Sequence, residues 1–185
     1  MRIVFLLVFM CQLSFMAAAA VVDSSSTGFT VQTTITIQAS PDEVYRRLVH
    51  NIGDWWDPAH TFSGDSHNLS IDEKPMGCFC EKLPNQGGVR HMEVLSFAPG
   101  KSLVLSGGLG PLQRLAATGS MSFTLMSEGT TTKLEALYTV TGYLPAGMNT
   151  WAAPVDTVVS QQMARLKNYI EHGESAAKSG PGAKR

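Results

Sequence analysis

Apolar and polar residues alternate first at Phe29, Val31, Thr33, Ile35 and Ile37, with Thr30, Gln32, Thr34, Thr36 and Gln38 between them. A period of two with one apolar face predicts a half-buried strand. Ser40-Pro41-Asp42-Glu43 follows. Ser40 suits an N-cap, Pro41 the first helical position, and Glu43 closes a capping box with acids where the helix dipole favours them. Val44, Leu48 and Ile52 continue as a helical stripe. The helix is expected to stop near Gly53, with Trp55, Trp56 and Pro58 in a second short helix or turn.

From His60 onward the pattern reads as β. The expected strands are His60–Gly64, Asn68–Glu73, Cys78–Leu83, Val89–Phe97, Ser102–Leu109, Thr118–Met126 and Lys133–Gly142. The turn signals between them include Pro84-Asn85-Gln86-Gly87-Gly88, Ala98-Pro99-Gly100 and Glu128-Gly129. Successive short strands joined by tight turns make an antiparallel meander. Glycines in or beside strands, at 107, 108, 110, 119 and 142, predict strong curvature. The period then returns to 3.6. Val155, Val159, Gln162, Met163, Leu166 and Ile170 form one face of a long helix, with Pro154 in its first turn and Gly173 as its stop.

The ends read differently. Met1 and Arg2, an apolar run to Phe15 and the alanines Ala17–Ala20 have the layout of a secretory signal peptide over residues 1–20. Cleavage after Ala20 is expected, leaving no membrane span. The rival is an uncleaved N-terminal anchor, because residues 3–22 carry no charge. Residues 21–28 read as a flexible lead-in, 29–173 as one domain and 174–185 as a disordered tail. Export would place the protein in an oxidising periplasmic or extracellular compartment.

Charge removes some partners. With 14 basic and 15 acidic residues the net charge is −1, and no basic stripe exists, so nucleic acid is not an expected partner. At 44 % hydrophobic and 16 % charged residues, the 185-residue chain has an ordinary globular balance, which excludes collagen-like, coiled-coil and disordered classes.

One strand, a helix pair, a run of antiparallel strands and one long terminal helix make an α+β fold in which the helix covers the apolar face of a curved sheet. That order resembles the START/polyketide-cyclase (SRPBCC) superfamily with its helix-grip fold. The carriers are Ile35-x-Ile37-x-Ala39-Ser40-Pro41-x-x-Val44-Tyr45, Trp55-Trp56-x-Pro58, Gly77-Cys78-Phe79-Cys80-Glu81, Leu109-Gly110-Pro111-Leu112-Gln113, Tyr143-Leu144-Pro145 and Arg165-Leu166-Lys167. The Gly77–Glu81 and Leu109–Gln113 segments look like those of a bacterial subgroup. The resemblance implies a cavity between sheet and helix that holds a small hydrophobic molecule, lipid or polyketide-like. It also implies two alternatives, an enzyme of the cyclase/dehydratase type and a module that binds a protein partner. No cofactor and no metal are expected.

The candidate ligand-binding residues are Trp55, Trp56, His60, Leu105, Leu109, Phe123, Tyr138, Tyr143, Val159 and Met163. The helix stripe Val155, Val159, Met163 and Leu166 is expected to form one wall. Leu103, Leu105, Met121, Phe123, Tyr138 and Val140 are expected to form the other. Glu81 and His91 are weak catalytic candidates. If Pro84–Gly88 is the hairpin loop, the two face each other as a carboxylate–imidazole pair suited to acid/base work or to a plain cross-strand ion pair. Cys78 and Cys80 read first as buried thiols, with a strained or intermolecular disulfide and a metal or catalytic role as the alternatives. On a regular strand they lie about 6.6 Å apart, at the upper edge for a relaxed disulfide, so a bond between them would need a bulge or strain. No nucleophile elbow, phosphate loop, dinucleotide fingerprint or zinc-protease helix is present.

Overall fold

A computed structural model describes residues 18–173. The expected signal segment up to residue 17 and the expected tail 174–185 lie outside the described residues.

Among the described residues eight strands form a single antiparallel sheet: β1 (Ala18–Ser25), β2 (Gly28–Ile37), β3 (Leu69–Ile71), β4 (Cys78–Lys82), β5 (Gly88–Ala98), β6 (Ser102–Ser106), β7 (Ala116–Glu128) and β8 (Thr131–Tyr143). Their spatial order is β1-β2-β8-β7-β6-β5-β4-β3, so the sheet is open, with β1 and β3 at its edges. Helices α1 (Pro41–His50) and α2 (Ile52–Trp55) follow β2, and α3 (Ala152–His172) closes the domain. This is the α+β architecture that the sequence predicts, with α3 lying against β2 and β1.

Local chemistry explains the elements. Every second residue of β2, from Phe29 to Ile37, is buried, as its alternation requires. Ser40 caps α1 by accepting from the Glu43 N–H, and Val44, Tyr45, Leu48 and Val49 form its buried face. Gly173 ends α3 in the left-handed conformation, its N–H donating to the Tyr169 carbonyl at 3.0 Å. Thr33, buried in the middle of β2, shares a 3.0 Å hydrogen bond with Ser160 of α3, which satisfies both hydroxyls where the helix crosses the strand.

Several expectations are corrected. Residues 21–25 are not a flexible lead-in but part of β1, paired with β2 through main-chain hydrogen bonds. The side chains of Ala20–Ser25 are exposed, so this edge strand carries no apolar alternation for a sequence to display. Residues 60–64 are not a strand. Asp57 caps a 3-10 turn, Pro58–His60, by accepting from the Ala59 N–H at 2.9 Å, and the chain then bends to Gly64. β6 stops at Ser106 rather than Leu109, because Gly107 adopts a φ of 147° and the chain turns into a 3-10 segment, Gly110–Arg114.

The β4–β5 hairpin is also offset. Its loop is residues 83–87, so Glu81 pairs with Val89 and Lys82 with Gly88. A bulge separates Phe79↔Met92 from Cys80↔Arg90, leaving His91 as an extra residue in β5. The bulge makes two successive residues, His91 and Met92, face the core. Opposite it, Cys78 and Cys80 form a disulfide with their Cα atoms 5.2 Å apart. The expectation of two free thiols assumed a regular strand, and the irregularity here brings the pair within bonding reach.

Candidate functional site

The sheet is wider than its helical cover. Helices α1 and α2 and the C-terminal half of α3 pack over one part of the concave face. Beside the N-terminal half of α3 a cavity of about 420 Å³ remains. Its helical wall is Trp151, Pro154, Val155, Val158 and Val159. Leu109, Gly110, Pro111 and Leu112 form the wall between β6 and β7. Trp56 and the segment Ala59–Phe62 form a third side, and Leu69, Phe79, His91 and Tyr138 make the floor. The rim carries the exposed residues Ala59, His60, Phe62, Pro111 and Pro154, so the cavity opens to solvent at that end.

Each wall is fixed by a specific contact. The Tyr138 hydroxyl donates to the Gly107 carbonyl at 3.0 Å and accepts from the Leu109 N–H at 2.9 Å, which holds the Leu109–Leu112 wall in place. Burial pushes the Tyr138 phenol up to about 12, so it stays protonated and able to donate. The Trp56 indole N–H donates to the His60 carbonyl at 3.1 Å. Arg165 of α3 donates from Nε to the Trp55 carbonyl at 2.9 Å, and Gln162 accepts from the Asp57 N–H at 2.9 Å. The turn after α2 is thereby tied to the helix.

Aromatic rings continue from this turn across the floor. Trp56 meets Phe79 edge-on at 5.7 Å, Phe79 lies 5.0 Å from the His91 ring, and Phe62 stacks on His91 at 5.8 Å. Arg114 covers Phe62 from across the mouth at 5.3 Å.

Glu81 and His91 form a fully buried pair, with Glu81 Oε2 and His91 Nε2 2.9 Å apart. The register pairs Glu81 with Val89, and His91, the extra residue of the bulge, reaches the carboxylate diagonally across the strand pair. Burial pushes the Glu81 carboxyl up. The Phe62 and Ser63 N–H groups and His91 outweigh that and hold it below the usual carboxylate range. Burial pushes His91 down, against the pull of Glu81, so the imidazole is neutral. An ionised carboxylate can only accept, so the neutral ring donates from Nε2 and leaves Nδ1 as a bare acceptor. Nδ1 is buried and has no partner.

The structure sorts the sequence candidates. Trp56, His60, Leu109, Tyr138, Val159 and His91 line the cavity, while Glu81 stands behind His91. Trp55, Leu105, Phe123 and Met163 are buried in the packed core instead, and Tyr143 is 74 % exposed at the C-terminal end of β8. Val155 of the expected helix wall lines the cavity, but Leu166 does not. Of the expected sheet wall only Tyr138 does; Leu103, Leu105, Met121, Phe123 and Val140 are core. The expectation spread the cavity along all of α3, whereas the turns of α3 after Val159 are covered by α1 and α2. Trp151, which the sequence also offers as a wall residue, lines the cavity. Sequence reasoning missed Phe62, Phe79 and Pro111, for which the Gly110-Pro111 turn signal was the available clue. Among the described residues no group of three or more His, Cys, Asp or Glu side chains is placed to hold a metal, and no helix is long and apolar enough to cross a membrane.

Known structures share this architecture. A conserved protein of unknown function from Enterococcus faecalis, EF2215, superposes with a TM-score of 0.60 at 19 % identity, covering 89 % of this chain and 82 % of that one. CalU16 from Micromonospora echinospora gives 0.54 at 15 % identity, with 85 % and 88 % covered. The Aha1 dimer from Colwellia psychrerythraea gives 0.54 at 18 % identity, with 79 % and 98 % covered. The fold is a helix grip. At these identities the likeness is one of fold. No family model matches the chain, and no curated protein matches it in sequence.

Proposed function

We propose that this helix-grip protein binds a small hydrophobic molecule in the cavity beside the first half of α3. The observation that carries the reading is a space of about 420 Å³ walled by apolar and aromatic side chains and open at one rim. That volume and lining suit a ligand pocket. The burial of Trp55 and Trp56 favours this reading over a surface that recruits a protein partner through exposed tryptophans. A second reading, a cyclase or dehydratase, draws on the Glu81–His91 pair at the cavity floor, where a neutral imidazole could take a proton from a bound substrate.

The test is a substitution that fills the space. Val159→Trp places a large ring in the helical wall. It should abolish the fluorescence enhancement of the neutral probe N-phenyl-1-naphthylamine, at a stability cost of about 1–3 kcal/mol as for overpacking. Tyr143→Ala, outside the cavity, should leave probe binding unchanged. Undiminished binding by folded Val159→Trp would overturn the proposal.

We further propose that the protein is exported. The positive, apolar and alanine-ending layout of residues 1–20 motivates this. The Cys78–Cys80 disulfide is consistent with an oxidising compartment. The intact mass of the exported protein should correspond to a chain beginning at or near Val21. A full-length mass in the membrane fraction would favour the anchor instead.

A further inference from the structure

Cys78 and Cys80 close a disulfide across a single residue. So short a loop removes little freedom from the unfolded chain, and the stability a disulfide draws from loop closure is small here. The strand does not depend on the bond either. Cys80 pairs with Ser70 of β3 and with Arg90 of β5, and Cys78 pairs with Glu93. The Cys78 carbonyl also accepts from the Asp72 N–H at 2.9 Å. On the concave side Phe79 is packed in the core and Glu81 holds three hydrogen bonds. The main chain at both cysteines is thus fixed by contacts that outlast the sulfur–sulfur bond.

The pair faces outward. Phe79 and Glu81 are buried, and Cys78 and Cys80 alternate with them, half-buried on the convex face beside the exposed Ser70, Lys82 and Arg90. The cavity lies on the opposite face, where Phe79 forms part of its floor. Charge around the two sulfurs is uneven. Arg90 stands across from Cys80 and Glu93 across from Cys78, and an ion pair of 3.1 Å joins Arg90 Nη1 to Glu93 Oε2. Lys82, two residues beyond Cys80, adds a second cation to the same face. Residues directly opposite on neighbouring strands lie about 4.5–5.5 Å apart at Cβ. A nearby cation favours a thiolate, so negative charge is better placed on Cys80 than on Cys78.

We propose that Cys78–Cys80 is a redox-active disulfide that oxidises solvent-borne thiols by exchange at the convex face. A thiolate attacks Cys78 Sγ. The Cys78–Cys80 bond breaks, and its electron pair leaves on Cys80 Sγ. A second thiolate then attacks the incoming sulfur of the mixed disulfide, and Cys78 departs as a thiolate. Two thiols become one disulfide, and the pair takes up two electrons and two protons as the Cys78 and Cys80 thiols. The order follows from the leaving group, because the sulfur better stabilised as a thiolate departs faster. The ease of reduction follows from the fold. A bond that contributes little to stability gives up little when it is reduced, and exposed disulfides belong to the labile class rather than the structural one.

The experiment incubates the full chain in glutathione buffers of graded thiol-to-disulfide ratio, quenches with acid, labels free thiols and weighs the peptide that carries Cys78 and Cys80, so that Cys11 does not contribute. Oxidised and reduced forms should coexist across these buffers, and the same mixture should be reached from either starting form. The reduced chain should keep the urea midpoint of the oxidised one. A pair that stays oxidised in reduced glutathione alone until the chain unfolds, or a midpoint that collapses on reduction, makes the disulfide structural and overturns the proposal. The order of attack is read by fragmenting the glutathione adduct trapped early in the reaction. The adduct should sit mainly on Cys78. In Arg90→Gln, an exposed position whose replacement leaves the core intact, the ratio of Cys78 to Cys80 adduct should fall about twofold or more, the scale of one exposed charge contact. Arg90→Lys should restore it. An adduct mainly on Cys80, or a ratio that ignores Arg90→Gln, overturns Cys80 as the leaving sulfur.

Discussion

His91 and Glu81 make the fold sensitive to acid, and the sign follows from their environments. Unfolded, His91 titrates near its ordinary 6.5, while burial holds the folded group lower. Between those values the unfolded chain binds more protons, so stability falls as pH drops through 6.5. Glu81 acts in the same direction in a lower window. Burial raises its carboxyl, its N–H donors outweigh that, and its contribution is present above 4.5 and lost as pH falls through the folded value. Asp156, pushed up by burial, opposes the trend in the carboxylate range alone. The thermal midpoint should therefore decline between about pH 7.5 and about pH 5.5, and folded His91→Phe should lose most of that decline. A wild-type midpoint that is flat or rises on acidification would contradict the buried neutral imidazole. The pair was visible in the sequence as two residues of suitable chemistry on neighbouring strands. Its geometry was not, because the register is offset and β5 bulges at His91, and nothing in Val89-Arg90-His91-Met92 marks where a strand takes an extra residue.

At the scale of elements, β8 contributes Tyr138 to the cavity floor, and Gly119 of β7 sets how closely those two strands fit. A Cβ there would lie 2.5 Å from the Thr139 carbonyl oxygen and 2.7 Å from the Tyr138 ring. The carbonyl belongs to the β7–β8 ladder, and the ring is pinned by its two hydrogen bonds, so neither yields cheaply. Gly119→Ala should cost about 1–3 kcal/mol in urea unfolding; an unchanged midpoint would show that the hairpin is looser than its contacts imply. Elements with a buried face were legible from the sequence. β2, α1 and α3 announce themselves by periodicity and caps, and β4 to β8 by apolar runs between turn residues. Elements without such a face were not. β1 is an exposed edge strand with serines and alanines, and residues 60–64 resemble a strand while being held open by Asp57 and Glu81.

Across the whole molecule, the helix pair divides the concave face into a filled half and an open half. Met163 lies in the filled half, 2 % exposed, although its spacing with Val155 and Val159 put it on the same predicted stripe. Helical periodicity identifies a buried face and says nothing about which turns of it are covered by other elements. Met163→Trp should thus lower stability by about 1–3 kcal/mol while the folded protein still binds N-phenyl-1-naphthylamine, in contrast to Val159→Trp. Loss of binding by a folded Met163→Trp variant would extend the cavity into the core. Apart from four floor residues, the lining comes from three short stretches of chain: Trp56 to Phe62, Leu109 to Leu112, and Trp151 to Val159. None of the three contributes a rung to the sheet. Ligand preference can therefore drift between descendants of this chain by exchange of a few local residues, with the scaffold inherited unchanged, and a chimera that receives only those stretches from another helix-grip protein would be expected to inherit its appetite as well.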